Sequence, residues 1–244
     1  MTNEELENWK IENDNCAKDI SFDKEILLEK TRDGFKKFNG DEDVELLWRI
    51  ARAVFLAGCL AERKKDKETQ KKLLFEAEEW CNKAIEKNPN CFEAHKWMAM
   101  ILGKVADFVS TKERIEKGKD VKKHLELAIG LQPDEAYLYH VYGRWCFEVA
   151  KLSWVERNIA KLVFGTPPEA TNDDALRNFK KGEELKENWK INYFYIAKTL
   201  IELKKYKEAV EYLDKAMKLP NEVDEDYIVS DELVELEKKY AKYR

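Results

Sequence analysis

The chain has 244 residues and a net charge of −5, with 44% hydrophobic and 38% charged residues. This length gives one large domain or two small ones, with enough apolar and aromatic material to bury a core. Nine glycines and five prolines are few for the length, which favours helices over a β-sandwich, a β-barrel or a collagen-like chain. The acidic balance excludes the overall positive field typical of nucleic-acid-binding proteins, so no nucleic-acid partner is predicted.

The sequence predicts neither a targeting segment nor an integral membrane segment. The first fourteen residues carry no apolar run of the kind found in signal peptides. The longest apolar stretch, Val54 to Ala61, is far shorter than the roughly 20 residues that a membrane span needs. Five widely spaced cysteines without a CxxC motif are typical of a reduced, cytoplasmic protein.

Residues 1–40 are predicted to form an N-terminal extension with one helix. Residues 1–20 are expected to be frayed. In the following segment, Ser21 or Asp23 is the expected N-cap of the helix, and Gly40 is expected to stop it. Residues 41–244 are predicted to form a single repeat domain.

The clearest repeat unit lies at residues 193–220. Its regularly spaced anchors are Tyr193, Ile196, Ala197 and Leu200, then Ala209, Leu213 and Ala216, then Pro220. This spacing follows the tetratricopeptide pattern, in which small residues let two helices cross closely and larger residues fill the remaining space. The proline ends the second helix. The sequence therefore predicts an all-α fold, a superhelix of tetratricopeptide-like helical hairpins, and an irregular helical bundle is the alternative.

Earlier segments repeat the pattern at uneven intervals. The third anchors of the four second helices are Ala84, Ala128, Gly182 and Ala216, which lie 44, 54 and 34 residues apart. A regular repeat has about 34 residues, so two insertions are predicted. The first is expected to lengthen a first helix near residues 108–120. The second, at residues 147–173, is expected to form an extended helix that protrudes from the array. Apolar residues 152, 155, 159 and 163 lie on one face of this helix, and residues 165–168 break it.

Motifs that carry catalysis are missing from the sequence. There is no GxGxxG, GxxxxGK[ST], HExxH or GxSxG motif. The chain has only three histidines, which are too few to predict a metal site or a catalytic triad. We therefore predict no catalytic residue, cofactor or metal ligand.

A binding surface is the predicted alternative to an active site. First helices line the concave face of stacked hairpins. The predicted lining residues are Lys96, Trp97, Met100, His140, Arg144, Phe147, Phe194, Tyr195 and Lys198. This half-apolar, half-basic set suits an extended peptide or an acidic segment, or the apolar tail of a lipid. Alternatively, these aromatic residues pack against the N-terminal helix or an insertion.

Four segments resemble the regulator of microtubule dynamics protein family: residues 46–53, 94–99, 143–165 and 192–200. The stretch from Trp145 through Trp154 to Gly165 is the most specific, because a generic tetratricopeptide has no such insertion. The resemblance implies a cytoplasmic, non-enzymatic scaffold. It further implies association with microtubules and spindle poles and a role in spindle function and chromosome segregation.

A partner of microtubules needs local positive charge, because tubulin presents glutamate-rich tails. The candidate basic residues are Lys64 and Lys65, Arg157 and Lys161, and Lys238 and Lys239, and residues 117–123 form a further basic stretch. The alternative for each is an ordinary solvated helix face. If charge carries the contact, added salt is expected to weaken it steeply.

Overall fold

The structure of the chain, a computed structural model, describes residues 2–164 and 169–244, with only the backbone at 163 and 164. Within this part of the chain the regular elements are helices, and the predicted all-α class is confirmed. The chain divides into two compact units, Met1–Phe108 and Val109–Arg244. The boundary between the units falls inside the second predicted helix pair.

The first unit is built around one long helix pair. Its helices are α1 (Asn3–Lys18), α2 (Lys24–Lys37), α3 (Val44–Arg63), α4 (Lys67–Lys87) and α5 (Phe92–Val105). Helix α3 packs along α4, while α2 packs on α3 and α5 packs on α4. The expectation that residues 1–20 are frayed is wrong. Thr2 and Glu5 cap α1 reciprocally, and α1 packs on α2 and α3.

Helix α2 begins as predicted and ends earlier than predicted. The Asp23 carboxylate accepts hydrogen bonds from the backbone N–H groups of Glu25 and Ile26, so Asp23 is the N-cap. The helix ends at Lys37, before Gly40, because the chain turns at Asn39. Asn39 adopts a left-handed backbone with φ of 54°, which asparagine tolerates better than most residues.

The second unit contains the two helix pairs that match the repeat best. Its helices are α6 (Thr111–Leu131), α7 (Ala136–Ala150), α8 (Trp154–Phe164), α9 (Asn172–Leu185), α10 (Lys190–Glu202), α11 (Tyr206–Lys218) and α12 (Asp224–Tyr240). Helix α7 pairs with α9, and α10 pairs with α11. The second-helix anchors Ala175, Phe179, Ala209 and Leu213 are fully buried, as the repeat pattern predicts.

A glycine allows α7 and α9 to approach each other closely. A Cβ atom on Gly143 would lie 2.6 Å from the Phe179 ring, which no side chain tolerates. The small residue that the repeat pattern places at position 143 therefore has a direct packing role.

The first insertion takes a different form from the predicted one. It lengthens a second helix, α6, because α5 ends at Val105 and a new helix is capped by Ser110. The second insertion contains a helix as predicted, α8, which is separate from α7 because α7 ends at Ala150. Helix α8 packs on α6. The side chain of residue 163 and the predicted break at residues 165–168 lie outside the described residues.

Candidate functional site

Two of the predicted groove residues of the second unit, Arg144 and Lys198, pair with α12. Arg144 on α7 forms an ion pair with Glu225 of α12, with Nη1 and Oε1 3.3 Å apart. The Tyr137 hydroxyl also donates to Glu225. On α10, Lys198 Nζ lies 2.7 Å from Oε1 of Glu232. An acidic helix of the same chain therefore occupies the basic positions of this face.

Helix α12 is held in place by its apolar side and by its N-terminus. Val229 and Leu233 are buried, and α12 packs on both α10 and α11. The Asp226 carboxylate accepts hydrogen bonds from the backbone N–H groups of Glu222 and Val223 at 3.0 and 3.2 Å. Burial raises the pKa of this carboxyl, and the two backbone hydrogen bonds partly offset the rise.

A polar network ties the start of α12 to α10. Lys190 Nζ donates to the Leu219 carbonyl oxygen at 2.9 Å and also to the side chain of Asn221. The Ser230 hydroxyl donates to the Asp226 carbonyl oxygen at 2.6 Å. The two Lys190 contacts join α10 to the segment that enters α12, so they position the start of this helix against α10.

Three predicted groove residues are buried and do not form an exposed wall. His140, Phe147 and Phe194 are each at most 1% exposed. Their rings pack with Tyr195, which is half-buried and carries the Arg144 guanidinium at 4.9 Å. His140 and Phe147 of α7 face Tyr195 of α10, and His140 also meets the Phe179 ring of α9, so these rings form packing contacts between helices. A peptide or apolar ligand at this face stays a prediction.

His140 is a neutral core histidine. Its Nδ1 atom lies 3.0 Å from the side-chain oxygen of Asn192, which can only accept, so Nδ1 carries the proton. Asn192 in turn donates to the Phe179 carbonyl oxygen at 2.9 Å. Burial, aided by the charge of Arg144, lowers the pKa of His140 to about 4. At neutral pH this ring is an uncharged packing group.

The other three groove candidates lie on α5 in the first unit. Lys96, Trp97 and Met100 are half-buried. The Trp97 indole donates to Glu93 at 3.2 Å, and its ring lies 5.8 Å from that of Phe55. These contacts are made within the first unit, so they describe packing rather than a vacant site.

Sequence reasoning missed an arginine pair on α3. Arg49 and Arg52 each place an Nη2 atom 2.8 Å from the carboxylate of Asp14 on α1. Both guanidiniums also lie against the Trp48 ring, at 4.1 and 5.0 Å. Burial would raise the pKa of Asp14, but the two arginines hold it below its usual range. The available signal was two arginines within an otherwise apolar helix.

The predicted basic residues differ in their exposure and in the contacts that they make with the rest of the protein. Lys64 is exposed and paired with Glu25 at 2.7 Å, while Lys65 ends the turn after α3 with a φ of 62°. Arg157 is half-buried and donates to the Ala150 carbonyl oxygen at 3.1 Å. Lys161 is exposed on α8.

The remaining predicted basic residues lie on α12 and on α6. Lys238 and Lys239 are exposed at the end of α12. The basic stretch at residues 117–123 lies on α6, which packs against α8. The structure therefore brings this stretch and Lys161 into one helix pair, joined by the ion pair between Arg114 and Glu156.

Side chains suited to chemistry beyond binding are dispersed or buried. Among the described residues, no group of three or more His, Cys, Asp or Glu side chains is arranged to hold a metal ion. The thiols of Cys81 and Cys146 are buried, and burial raises the pKa of Cys146 to about 11. None of the helices in the described part of the chain has the length and apolar character to cross a membrane.

Comparison with known proteins places the chain in a family. The family model for regulator of microtubule dynamics proteins 1-3 matches residues 12–241. The chain belongs to the regulator of microtubule dynamics protein family. Regulator of microtubule dynamics protein 1 of Pongo abelii is 38% identical over 202 residues, which covers 82% of this chain and 63% of that protein. Protein 2 of Homo sapiens is 34% identical over 82% of this chain and 48% of its own length.

The chain spans about half to two thirds of the length of these relatives. Solved structures support the helical-repeat fold of this chain. A thermophilic TPR protein from Thermus thermophilus has a TM-score of 0.57 and 15% identity, over 90% of both chains. The MamA protein has a TM-score of 0.50 and 17% identity, over 100% of this chain and 97% of that chain. The predicted tetratricopeptide-like fold is confirmed.

Proposed function

We propose that this chain is a non-enzymatic regulator of microtubules that binds them directly. Its place of action is the cytoplasm, at the spindle and spindle poles, where it contributes to chromosome segregation. The observation that carries this proposal is membership, over residues 12–241, of a family named for the regulation of microtubule dynamics. The helical-repeat fold supports it, because stacked helical hairpins commonly serve as binding scaffolds.

The proposed microtubule contact is the basic surface of the helix pair formed by α6 and α8. Residues 111–123 and 151–162 together carry nine Lys and Arg residues and four Asp and Glu residues, in a chain with a net charge of −5. Lys119, Lys123 and Lys161 are exposed there. A positive patch on an acidic chain suits the glutamate-rich tails of tubulin, because opposite potentials steer association and select the docking face.

The remaining basic positions offer less to an acidic partner. Helix α12 carries seven Asp and Glu residues and two lysines between residues 224 and 240, and it covers the basic face of α7 and α10. An acidic tail approaching that face would meet negative charge. Lys64, which pairs with Glu25, and Lys65 remain one further candidate patch, and Lys238 and Lys239 remain another.

Microtubule co-sedimentation of charge-reversal variants tests the proposal. The variants are K119E/K123E/K161E for the proposed contact, K64E/K65E and K238E/K239E for the other patches, and K207E/K218E as a control on exposed positions of α11. We expect the first variant to lose most of its binding and the control to bind as the wild type. Wild-type binding is expected to weaken steeply as salt rises, because exposed charges are screened. Binding that is independent of salt, or unchanged in all three patch variants, would defeat the proposal.

A further inference from the structure

Helix α8 exposes large apolar side chains to solvent. Trp154 is 78% exposed, Leu162 is 87% exposed and Val155 is 58% exposed. The first two are the most exposed large hydrophobic residues in the described part of the chain. Exposed apolar residues that cluster on one element mark an interaction surface more often than isolated ones do.

These side chains share one side of the helix. At 100° per residue, Trp154, Val155, Asn158, Lys161 and Leu162 fall within about a third of the helix circumference. We call these five residues the α8 strip, and it contains no acidic residue. All five are exposed.

The opposite side of α8 faces the protein with polar contacts. Glu156 pairs with Arg114 of α6, Arg157 donates to the Ala150 carbonyl oxygen, and Ala160 is buried. An ordinary surface helix buries its apolar side and exposes its charges. Helix α8 instead turns Trp154 and Leu162 outward, so its own packing does not explain them.

Helix α8 is preformed, so presenting the strip needs no folding upon binding. The Ser153 hydroxyl accepts a hydrogen bond from the Glu156 N–H at 3.3 Å, and the Glu156 carboxylate accepts one from the Ser153 N–H at 2.8 Å. This capping box fixes the start of the helix. Lys161 is exposed in the last turn of α8, and Lys151 is exposed just before the helix, where it pairs with Glu202 at 3.2 Å.

The geometry points to an anionic lipid surface as the partner of the α8 strip. Helix α8 lies along that surface, with Trp154, Val155 and Leu162 buried at the boundary between headgroups and acyl chains and the lysines among the headgroups. Tryptophan and leucine on one side with lysine at the edges is the composition of interfacial helices, and the amphipathic indole ring favours the headgroup level.

The small size of the strip favours a membrane over a folded protein partner. A specific protein interface buries about 800 Å² on each partner, which is far more than three side chains on one convex helix provide. A lipid surface adapts its shape to the helix, so a few inserted side chains plus electrostatic attraction are enough for reversible binding.

Vesicle flotation of the full chain tests this inference. The probes are vesicles of phosphatidylcholine alone and vesicles containing roughly a third phosphatidylserine. The test variant is W154S/L162S, and I20S/I26S is the matched control, because Ile20 and Ile26 are also exposed. Circular dichroism verifies that both variants stay helical.

We expect the wild type and the control to float with the anionic vesicles and W154S/L162S to lose at least about tenfold in binding. A second variant, K119E/K123E, changes only exposed positions of α6 outside the α8 strip. It is expected to float with the anionic vesicles and to lose microtubule pelleting, which separates this inference from the proposed function. A wild type that does not float, or a W154S/L162S variant that floats as well as the wild type, overturns the inference. Loss of microtubule pelleting in W154S/L162S with vesicle binding intact would instead assign the strip to tubulin. Concentration-dependent dimers in ultracentrifugation, abolished in this variant without any vesicle binding, would assign it to a second copy.

Discussion

The face formed by α7 and α10 and the α8 strip contain similar residues in opposite situations. Both combine aromatic rings with basic side chains. On the first face the rings of His140, Phe147 and Phe194 are buried, and the cations are paired with α12. On α8, Trp154 and Lys161 are exposed. Residue type alone therefore does not identify a binding surface, because other helices of the same chain can bury the same rings and pair with the same basic side chains.

The largest loss of stability is expected when one of the buried rings is removed. Phe194 is fully buried between α10 and its neighbours, so Phe194→Ala removes packing and leaves a cavity. The expected loss in the free energy of unfolding is about 3–5 kcal/mol. Urea denaturation followed by circular dichroism measures it. A loss below about 1 kcal/mol would show that this ring is not part of a packed core.

The next effect is a pH dependence that comes from His140. Because burial lowers its pKa from 6.5 to about 4, the unfolded chain binds a proton at a higher pH than the folded chain does. The contribution of neutral His140 to the free energy of unfolding is fully present above about pH 6.5 and is lost as the pH falls toward 4. The loss is roughly 3 kcal/mol at most.

Denaturation at a series of pH values, with His140→Gln as the comparison, measures this effect. The wild-type stability is expected to fall more steeply between pH 6.5 and 4 than that of the variant. Parallel curves for the two proteins would contradict a buried neutral histidine.

A smaller effect is expected from loosening the covering helix. Glu225 accepts from Arg144 and Tyr137, so Glu225→Ala removes one acceptor from each of these two groups. We expect a loss of about 1–2 kcal/mol in the free energy of unfolding and faster amide hydrogen exchange in residues 224–233. Glu235→Ala is the control, because Glu235 is exposed on the same helix. Equal exchange in the two variants would show that Glu225 does not hold α12.

The smallest stability effect is expected on α8. Trp154 and Leu162 make little contact with the protein, so each serine substitution is expected to change the free energy of unfolding by about 0.5 kcal/mol or less. Thermal denaturation of W154S/L162S measures this. A marked loss of stability would mean that these side chains pack in solution, and the contrast between the two regions would fail.

Much of the fold follows from local pattern. The small and large anchors of the last repeat, such as Ala209 and Leu213, predict α10 and α11 because close helix crossing restricts residue size at the crossing points. Asp23 predicts the start of α2 for a similar reason, since an N-cap is a local interaction. Residues 1–20 were mispredicted because the contact that orders α1, Asp14 with Arg49 and Arg52, spans 35 residues or more.

The candidate site was harder to predict because it depends on contacts distant in sequence. Glu225 lies 81 residues from Arg144, and the repeat pattern ends at Pro220. The available signal was the acidic segment at residues 224–237, which follows the last repeat and could pair with Arg144 and Lys198. The apolar residues 152, 155, 159 and 163 predict that one side of the inserted helix is apolar. The helix begins only at Trp154, so Leu152 lies outside it. The side that faces solvent carries Trp154, Val155 and Leu162.

The most direct test of the central claim is carbodiimide crosslinking of the chain to microtubules, with the linked lysines mapped by mass spectrometry. This reagent joins an amine to a carboxylate only where the two are in contact. The account predicts links from Lys119, Lys123 and Lys161 to the glutamate-rich tails of tubulin. Links confined to Lys96 and Lys198, or to Lys64, Lys65, Lys238 and Lys239, would contradict it.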